Sequence, residues 1–238
     1  MLALDESLFL FINGWVGTSW SFDHLALRVA HSHLLKGGVL VALLWWSWHR
    51  THSQTRPAVI LQIVSGVLLA VAVARAMQNL LPARLRPAHD PALIERGFVL
   101  FDEFDPAILE GLSSFPSDHA VLAFAMATAV FLGHRGLGIL AMVWALLTSC
   151  LPRVYFGMHY PGDIIAGAII GTLVMLAVVS LPVPQSLDRK VEVLALRHRG
   201  LFYAVLFLAT SQMATVFVDS RALLGTAATF VRLHLSLL

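Results

Sequence analysis

The feature of this sequence that most limits its fold is a series of long apolar segments that contain almost no charge. Of its 238 residues, 58% are hydrophobic and 13% are charged, and the mean hydropathy is +0.79. A soluble domain carries roughly twice that charged fraction, whereas about 20 apolar residues suffice for a helix to cross a bilayer. The composition therefore excludes an ordinary soluble domain and predicts an integral membrane protein.

Six segments have the composition of membrane spans. They are residues 30–48, 57–81, 118–134, 136–151, 162–183 and 200–218. The apolar run within residues 1–15 is too short to span and predicts an interfacial amphipathic helix, with the start of the first span as the alternative. The tail at 219–238 is interrupted by basic residues and is also predicted to lie at the interface. We therefore predict an all-α, polytopic helical membrane bundle with about six transmembrane helices and amphipathic terminal helices, forming one domain over residues 1–238.

The basic residues predict the orientation of this bundle. Five or six spans place the connections 49–56, 134–136 and 184–199 on one face. The acids of these connections are only Asp188 and Glu192, against seven basic residues: Arg50, Arg56, Arg135, Arg189, Lys190, Arg197 and Arg199. The positive-inside rule makes that face cytoplasmic. The long 82–117 loop and the 152–161 loop then face the periplasm or cell exterior of a bacterial plasma membrane. A loop as long as 82–117 is usually functional or disordered.

Charge and cysteine content exclude other classes. A formal net charge of +2 offers no basic surface for a nucleic-acid partner. The single cysteine, Cys150, excludes a disulfide framework. The bilayer itself is the partner that the composition indicates.

Three polar clusters lie at span boundaries on the predicted outer face. They read "NLLPARLRP" (79–87), "FPSDHA" (115–120) and "PRVYFGMHYPGD" (152–163). Arginine forks bind the oxygens of a phosphate through paired planar donors. Ser117 is a favourable N-cap, and the amides of the helix behind it form an anion site. The clusters therefore predict a cradle for a phosphate group.

The order and spacing of these clusters resemble a known family, the type 2 phosphatidic acid phosphatase superfamily, which shares its site with vanadium haloperoxidases. Its pattern is K-x6-R-P, then P-S-G-H, then S-R-x5-H-x3-D. The matching residues here are Arg86-Pro87, Pro116-Ser117, His119, Arg153, His159 and Asp163. The matched stretch, 79–163, covers about a third of the chain.

The resemblance implies a membrane lipid phosphatase that needs no metal or cofactor. His159 would be the nucleophile and form a phosphohistidine. Asp163 would hold the other ring nitrogen of His159 and support the developing imidazolium. His119, whose pKa range lies near working pH, would protonate the leaving oxygen. Arg86, Arg153 and Ser117 would bind the phosphate.

Three positions depart from the family pattern. Asn79 stands where the family has lysine, Pro152 where it has serine, and Asp118 where many members have glycine. Arg75 or Arg84 could replace the missing lysine charge, so Asn79, Arg84 and Asp118 are included among the candidate phosphate-binding residues. Asp118 would favour the helix N-terminus or pair with an arginine.

The variant P-S-D-H is similar to the undecaprenyl-diphosphate phosphatases of the bacitracin-resistance type. It makes undecaprenyl diphosphate the first choice of membrane lipid phosphate substrate, with phosphatidylglycerophosphate or phosphatidate as the alternative. Two other classes remain open: a metal-dependent hydrolase, and a transporter or lipid binder without activity. His31 and His33 could suggest a metal, but a polar end of the first span is the preferred interpretation.

Overall fold

The computed structural model describes residues 2–50, 56–109, 111, 113–215 and 217, and all regular secondary structure in this part of the chain is helical. The helices are α1 (Leu2–Asn13), α2 (Trp20–His31), α3 (Val39–Arg50), α4 (Pro57–Leu80), α5 (Pro91–Glu95), α6 (Asp118–Gly133), α7 (Arg135–Ala145), α8 (Leu151–Tyr155), α9 (Pro161–Ser180), α10 (Gln185–Arg197) and α11 (Arg199–Ala214). The predicted interfacial tail at 219–238 lies outside the described residues.

The described residues contain three to five candidate spans, and they confirm an all-α helical membrane bundle. α4, α9 and the continuous helix Arg135–Tyr155 are each long and apolar enough to cross a membrane. Two further pairs, α2 with α3 and α10 with α11, qualify only as bent spans, with angles of 67° and 108°. α6 has 16 residues and is about 24 Å long, so it falls short of a hydrocarbon core about 30 Å thick.

One predicted span and one predicted connection differ from the structure. The segment at 30–48 is not one straight helix, because Ser32 is extended (ψ 106°) and ends α2. A π-helical segment, Leu34–Gly38, then leads into α3. The predicted connection 184–199 is not an irregular loop, because most of it forms the amphipathic helix α10.

α6 lies at the centre of the bundle and packs against α3, α4, α7 and α9. Two glycines of α9 allow the closest approach: a Cβ at Gly171 would lie 2.2 Å from the carbonyl oxygen of Val121, and one at Gly167 would lie 2.6 Å from that of Ser117. Small residues permit such contact between membrane helices. The glycines therefore hold the start of α6 directly against the start of α9.

The N-terminal helix and the long loop cover this end of the bundle. α1 is a helix, as predicted for residues 1–15, and it contacts α8 and α9. The Asn13 side chain donates to the carbonyl oxygen of Val99 (3.0 Å) and accepts from its amide (2.8 Å). The described residues of the 82–117 loop are thus fixed to α1 above the starts of α6 and α9.

Candidate active site

The fold brings the three sequence clusters to one end of the bundle. Arg84 and Arg86 follow α4, Ser117 to His119 begin α6, and Asp163 lies in the first turn of α9. Arg153 lies on α8, and Gly157 (φ +73°) turns the chain behind it. The amides of Met158 and His159 donate back to the carbonyl oxygen of Arg153, at 2.8 and 3.2 Å.

His159 is 2% exposed, and both of its ring nitrogens have partners. Nδ1 lies 2.8 Å from the carbonyl oxygen of Ser114, and Nε2 lies 3.2 Å from Nη1 of Arg86. A carbonyl oxygen can only accept, so the hydrogen is on Nδ1 and Nε2 carries the lone pair. Burial lowers the pKa of His159, against the raising effect of Asp163. The lowered pKa favours the neutral imidazole, whose Nε2 lone pair faces Nη1 of Arg86, and the neutral form is the one that a nucleophile needs.

Asp163 is fully buried and acts on His159 mainly through another residue. Its Oδ2 lies 3.7 Å from Nδ1 of His159, beyond hydrogen-bond distance. The same oxygen accepts from the hydroxyl of Ser114 (2.5 Å) and the amide of Tyr160 (2.9 Å). The direct contact that the resemblance implied is therefore replaced by a relay: Asp163 holds Ser114, and the Ser114 carbonyl holds the histidine.

Arg84 binds carboxylates in this structure. Its Nη1 donates to Oδ1 of Asp163 (2.6 Å), and its Nη2 donates to Oδ2 of Asp5 on α1 (2.7 Å). The other oxygen of Asp5 accepts from the amide of Gly162 (2.7 Å). Arg84 is one of the candidate phosphate-binding residues, and in this structure both of its terminal nitrogens bind carboxylates, those of Asp163 and of Asp5 on α1.

At the start of α6, Asp118 joins the predicted acid to an arginine of α4. Oδ1 of Asp118 accepts from Nδ1 of His119 (2.9 Å), and Oδ2 accepts from Nη2 of Arg75 (2.5 Å). The expectation that Asp118 pairs with an arginine is confirmed. Because Nδ1 of His119 is bound, Nε2 is the atom left to exchange a proton. Ser117 caps the helix as predicted, accepting from the amide of Ala120 at 3.5 Å.

Arg153 is the residue whose environment most directly indicates an anion. Its side chain is 5% exposed, and among the described residues Nη1 has no hydrogen-bond partner. A buried guanidinium nitrogen without an acceptor costs free energy that a bound anion would recover. Arg86, also buried, lies 3.2 Å from Nε2 of His159 through its Nη1 and donates to the carbonyl oxygen of Met158 at 2.8 Å.

Asn79 stands at the position of the family's missing lysine. Asn79 is exposed near the end of α4. Of the two residues considered as substitutes, Arg75 neutralises Asp118 and Arg84 neutralises Asp163. Within the described residues, no group of three or more histidine, cysteine, aspartate or glutamate side chains is arranged to hold a metal ion.

The sequence did not reveal two residues of this network. Ser114 directly precedes the quoted cluster FPSDHA, but its contact with His159 is made by a backbone carbonyl, which no side-chain pattern reports. Asp5 is 158 positions from Asp163 along the chain, and only the packing of α1 brings it to the site. Its one sequence signal is an acid within an otherwise apolar N-terminus.

Comparison with known proteins identifies a family. The sequence model of the PAP2 superfamily matches residues 60–186, more than half of the chain. The chain is 43% identical over 61 residues to the bacitracin transport permease protein BcrC of Bacillus licheniformis, which covers 26% of this chain and 30% of that protein. No solved structure matches.

Two further relatives align over more of their length. The lipid A 4'-phosphatase of Bacteroides thetaiotaomicron is 27% identical over 173 residues, covering 71% of this chain and 72% of that protein. The putative undecaprenyl-diphosphatase YbjG of Escherichia coli is 29% identical over 171 residues, covering 71% of this chain and 78% of that protein.

Proposed function

The chain belongs to the PAP2 superfamily, and on this premise we propose that it is an integral membrane phosphatase that hydrolyses a lipid phosphate through a phosphohistidine. The observation that carries the proposal is the buried Arg153 with an unpartnered Nη1, in the same centre as a His159 whose Nε2 is available for attack. Relatives named as phosphatases support the same class of reaction.

The first half-reaction transfers the phosphoryl group to the protein. Nε2 of His159 attacks phosphorus, the bond from phosphorus to the leaving oxygen breaks, and that oxygen takes a proton from His119. Arg86 and Arg153 bind the non-bridging oxygens while charge builds on them. Nδ1 of His159 keeps its hydrogen on the Ser114 carbonyl, so the phosphohistidine forms on the nitrogen that carries the lone pair.

The second half-reaction restores the protein. Now deprotonated, His119 takes a proton from water, the water oxygen attacks phosphorus, and the bond from phosphorus to Nε2 breaks. Inorganic phosphate leaves, and His159 is again neutral. The His119 side chain is 21% exposed, which is consistent with access of water from the lipid-headgroup side. This chemistry uses no metal, because the arginines supply the positive charge.

Undecaprenyl diphosphate is the substrate that we propose first, hydrolysed at the outer face of a bacterial plasma membrane to undecaprenyl phosphate. The P-S-D-H sequence and the name of the YbjG relative support it. A lipid monophosphate such as phosphatidate or phosphatidylglycerophosphate is the second candidate, favoured by the relative named as a lipid A 4'-phosphatase. A lipid-phosphate binder without activity is the alternative of a different class.

Phosphate release from a panel of lipids tests the proposal. Purified protein in detergent is incubated with undecaprenyl diphosphate, undecaprenyl phosphate, phosphatidate and phosphatidylglycerophosphate, with and without a chelator. We expect release that survives chelation, and inhibition by orthovanadate, which imitates five-coordinate phosphorus. Release that depends on an added divalent ion would assign the site to the metal-dependent class. No release from any lipid would favour the binder.

A further inference from the structure

A buried lysine that the motifs do not include lies beside this site. Lys36 belongs to the π-helical segment between α2 and α3, and its side chain is 5% exposed. Its Nζ donates to the carbonyl oxygen of Ala30 at 2.5 Å. Within the described part of the chain it forms no ion pair with a carboxylate. A buried ammonium without a counter-charge is costly to maintain, so its presence requires an explanation.

The surrounding elements direct Lys36 towards Arg153. Two π-helical segments contact each other here, Leu34–Gly38 and Leu146–Cys150, the second of which leads into α8 and Arg153. The indole of Trp144 donates to the carbonyl oxygen of Leu35 (2.7 Å) and fixes this contact. The positive charges of Lys36 and Arg153 act on each other unfavourably. Two like charges buried together indicate a site built for an anion.

The segment of Lys36 contacts Leu146–Cys150, which also packs against α6, the helix whose first turn carries His119. Among the charges that act most strongly on His119 are those of Arg153, Asp118 and Lys36. The strongest on His159 are those of Arg86, Asp163 and Asp118. His159 receives the transferred phosphoryl group, whereas His119 protonates the leaving group. Lys36 therefore joins Arg153 as a cation on the part of the site where the leaving group departs.

We propose that Lys36 binds the phosphate that is not transferred, and so selects a lipid diphosphate over a lipid monophosphate. This inference rests on the proposed function and narrows its substrate class. When Nε2 of His159 attacks the terminal phosphorus, the bridging oxygen leaves with the lipid phosphate and takes its proton from His119. Lys36 keeps its protons and neutralises the negative charge of the departing phosphate.

Lys36 differs in place and role from the lysine of the family pattern. Asn79 is exposed, and Arg75 and Arg84 each neutralise a carboxylate of the site. Lys36 precedes the family motifs in the sequence and lies in the bent pair formed by α2 and α3. Among the described residues, no carboxylate forms an ion pair with it. In our proposal Lys36 binds the phosphate of the leaving group and not the phosphate that is transferred.

Lys36→Met tests this role, and the only other lysine of the chain, the exposed Lys190, supplies the matched control Lys190→Met. We expect Lys36→Met to lower kcat/KM for undecaprenyl diphosphate by about 10–100-fold, the worth of one charged hydrogen bond. The loss with phosphatidate should be at least tenfold smaller. Lys36→Arg, which keeps the charge, should recover part of the diphosphate activity. Lys190→Met should leave kcat/KM unchanged for both substrates.

Thermal unfolding separates this role from a structural one. Without ligand, Lys36→Met should melt at the wild-type temperature or above it, because the apolar side chain removes an uncompensated buried charge. A lower melting temperature together with equal losses on both substrates would overturn the proposal. So would an unchanged ratio of diphosphate to monophosphate activity.

A binding measurement keeps this inference distinct from the proposed function. Inorganic pyrophosphate should raise the melting temperature of the wild-type protein more than orthophosphate does, and Lys36→Met should remove the difference. If the wild-type protein released phosphate from no lipid, the proposed function would fail, yet this binding result would still decide the role of Lys36. If pyrophosphate raised the melting temperature of the wild-type protein and of Lys36→Met equally, the proposed role of Lys36 would be wrong.

Discussion

At the scale of single residues, the two histidines of the site have different surroundings and should respond differently to substitution. His159 is buried with its Nε2 facing Arg86, whereas His119 is partly exposed and binds Asp118 through its Nδ1. We expect His159→Ala to remove nearly all turnover on every substrate and to prevent phosphoenzyme trapping. His119→Ala should be severe with a lipid leaving group but milder with p-nitrophenyl phosphate, because p-nitrophenolate leaves without a proton.

Kinetics with both substrates, on the two variants and the exposed-histidine control His49→Ala, check this assignment. The roles of acid and nucleophile would have to be exchanged if His119→Ala lowered kcat/KM equally for both leaving groups while the rate of His159→Ala still depended on the leaving group.

A second residue-scale prediction concerns pH. Burial lowers the pKa of His159 below its ordinary value of 6.5, while Asp163 raises it. Attack needs the neutral imidazole, so the loss of kcat/KM assigned to His159 should occur only at pH values below 6.5. Asp163→Asn removes the raising charge and should move that loss to still lower pH. It should also lower kcat by about 10²–10⁴, by analogy with triad variants.

The pH–rate profile of wild type and Asp163→Asn with p-nitrophenyl phosphate measures both effects. A shift of the acid limb towards neutral pH in the variant would contradict the electrostatic role of Asp163.

At the scale of secondary-structure elements, α1 is part of the site and not only a membrane anchor. Asp5 binds both Arg84 and the amide of Gly162 at the start of α9. We expect Asp5→Ala to lower kcat about tenfold or more, because small displacements of catalytic groups are costly. The neighbouring Glu6 pairs with Arg96 at the surface, so Glu6→Ala should change kcat little. If Asp5→Ala and Glu6→Ala changed kcat equally, the contacts of Asp5 would have no specific role in catalysis.

At the scale of the whole molecule, the predicted orientation places the 82–117 loop outside and α10 inside. Asp105 and Ser186 are exposed positions on these two segments, and the native Cys150 is fully buried. An impermeant thiol reagent should label Asp105→Cys in intact cells, and should label Ser186→Cys only after the membrane is permeabilised. The opposite pattern would place the site on the cytoplasmic face.

The sequence by itself determined the class of fold and the residues at the centre of the site. Apolar length and low charge are properties of each segment alone, so α4, α9 and the helix Arg135–Tyr155 were predictable as spans. Motif residues such as Arg153 and His159 are recognisable because the family pattern specifies both their residue type and their spacing.

Only the tertiary structure decided how those residues are held. The bend at Ser32 depends on one extended residue, and the relay through Ser114 depends on a backbone carbonyl, neither of which a hydropathy pattern reports. Asp5 and Lys36 come from elements far from the motifs in sequence. Packing brings Asp5 to Arg84, and the segment of Lys36 to the segment that leads into Arg153. Their electrostatic effect on the site depends on distance and burial and not on position along the chain.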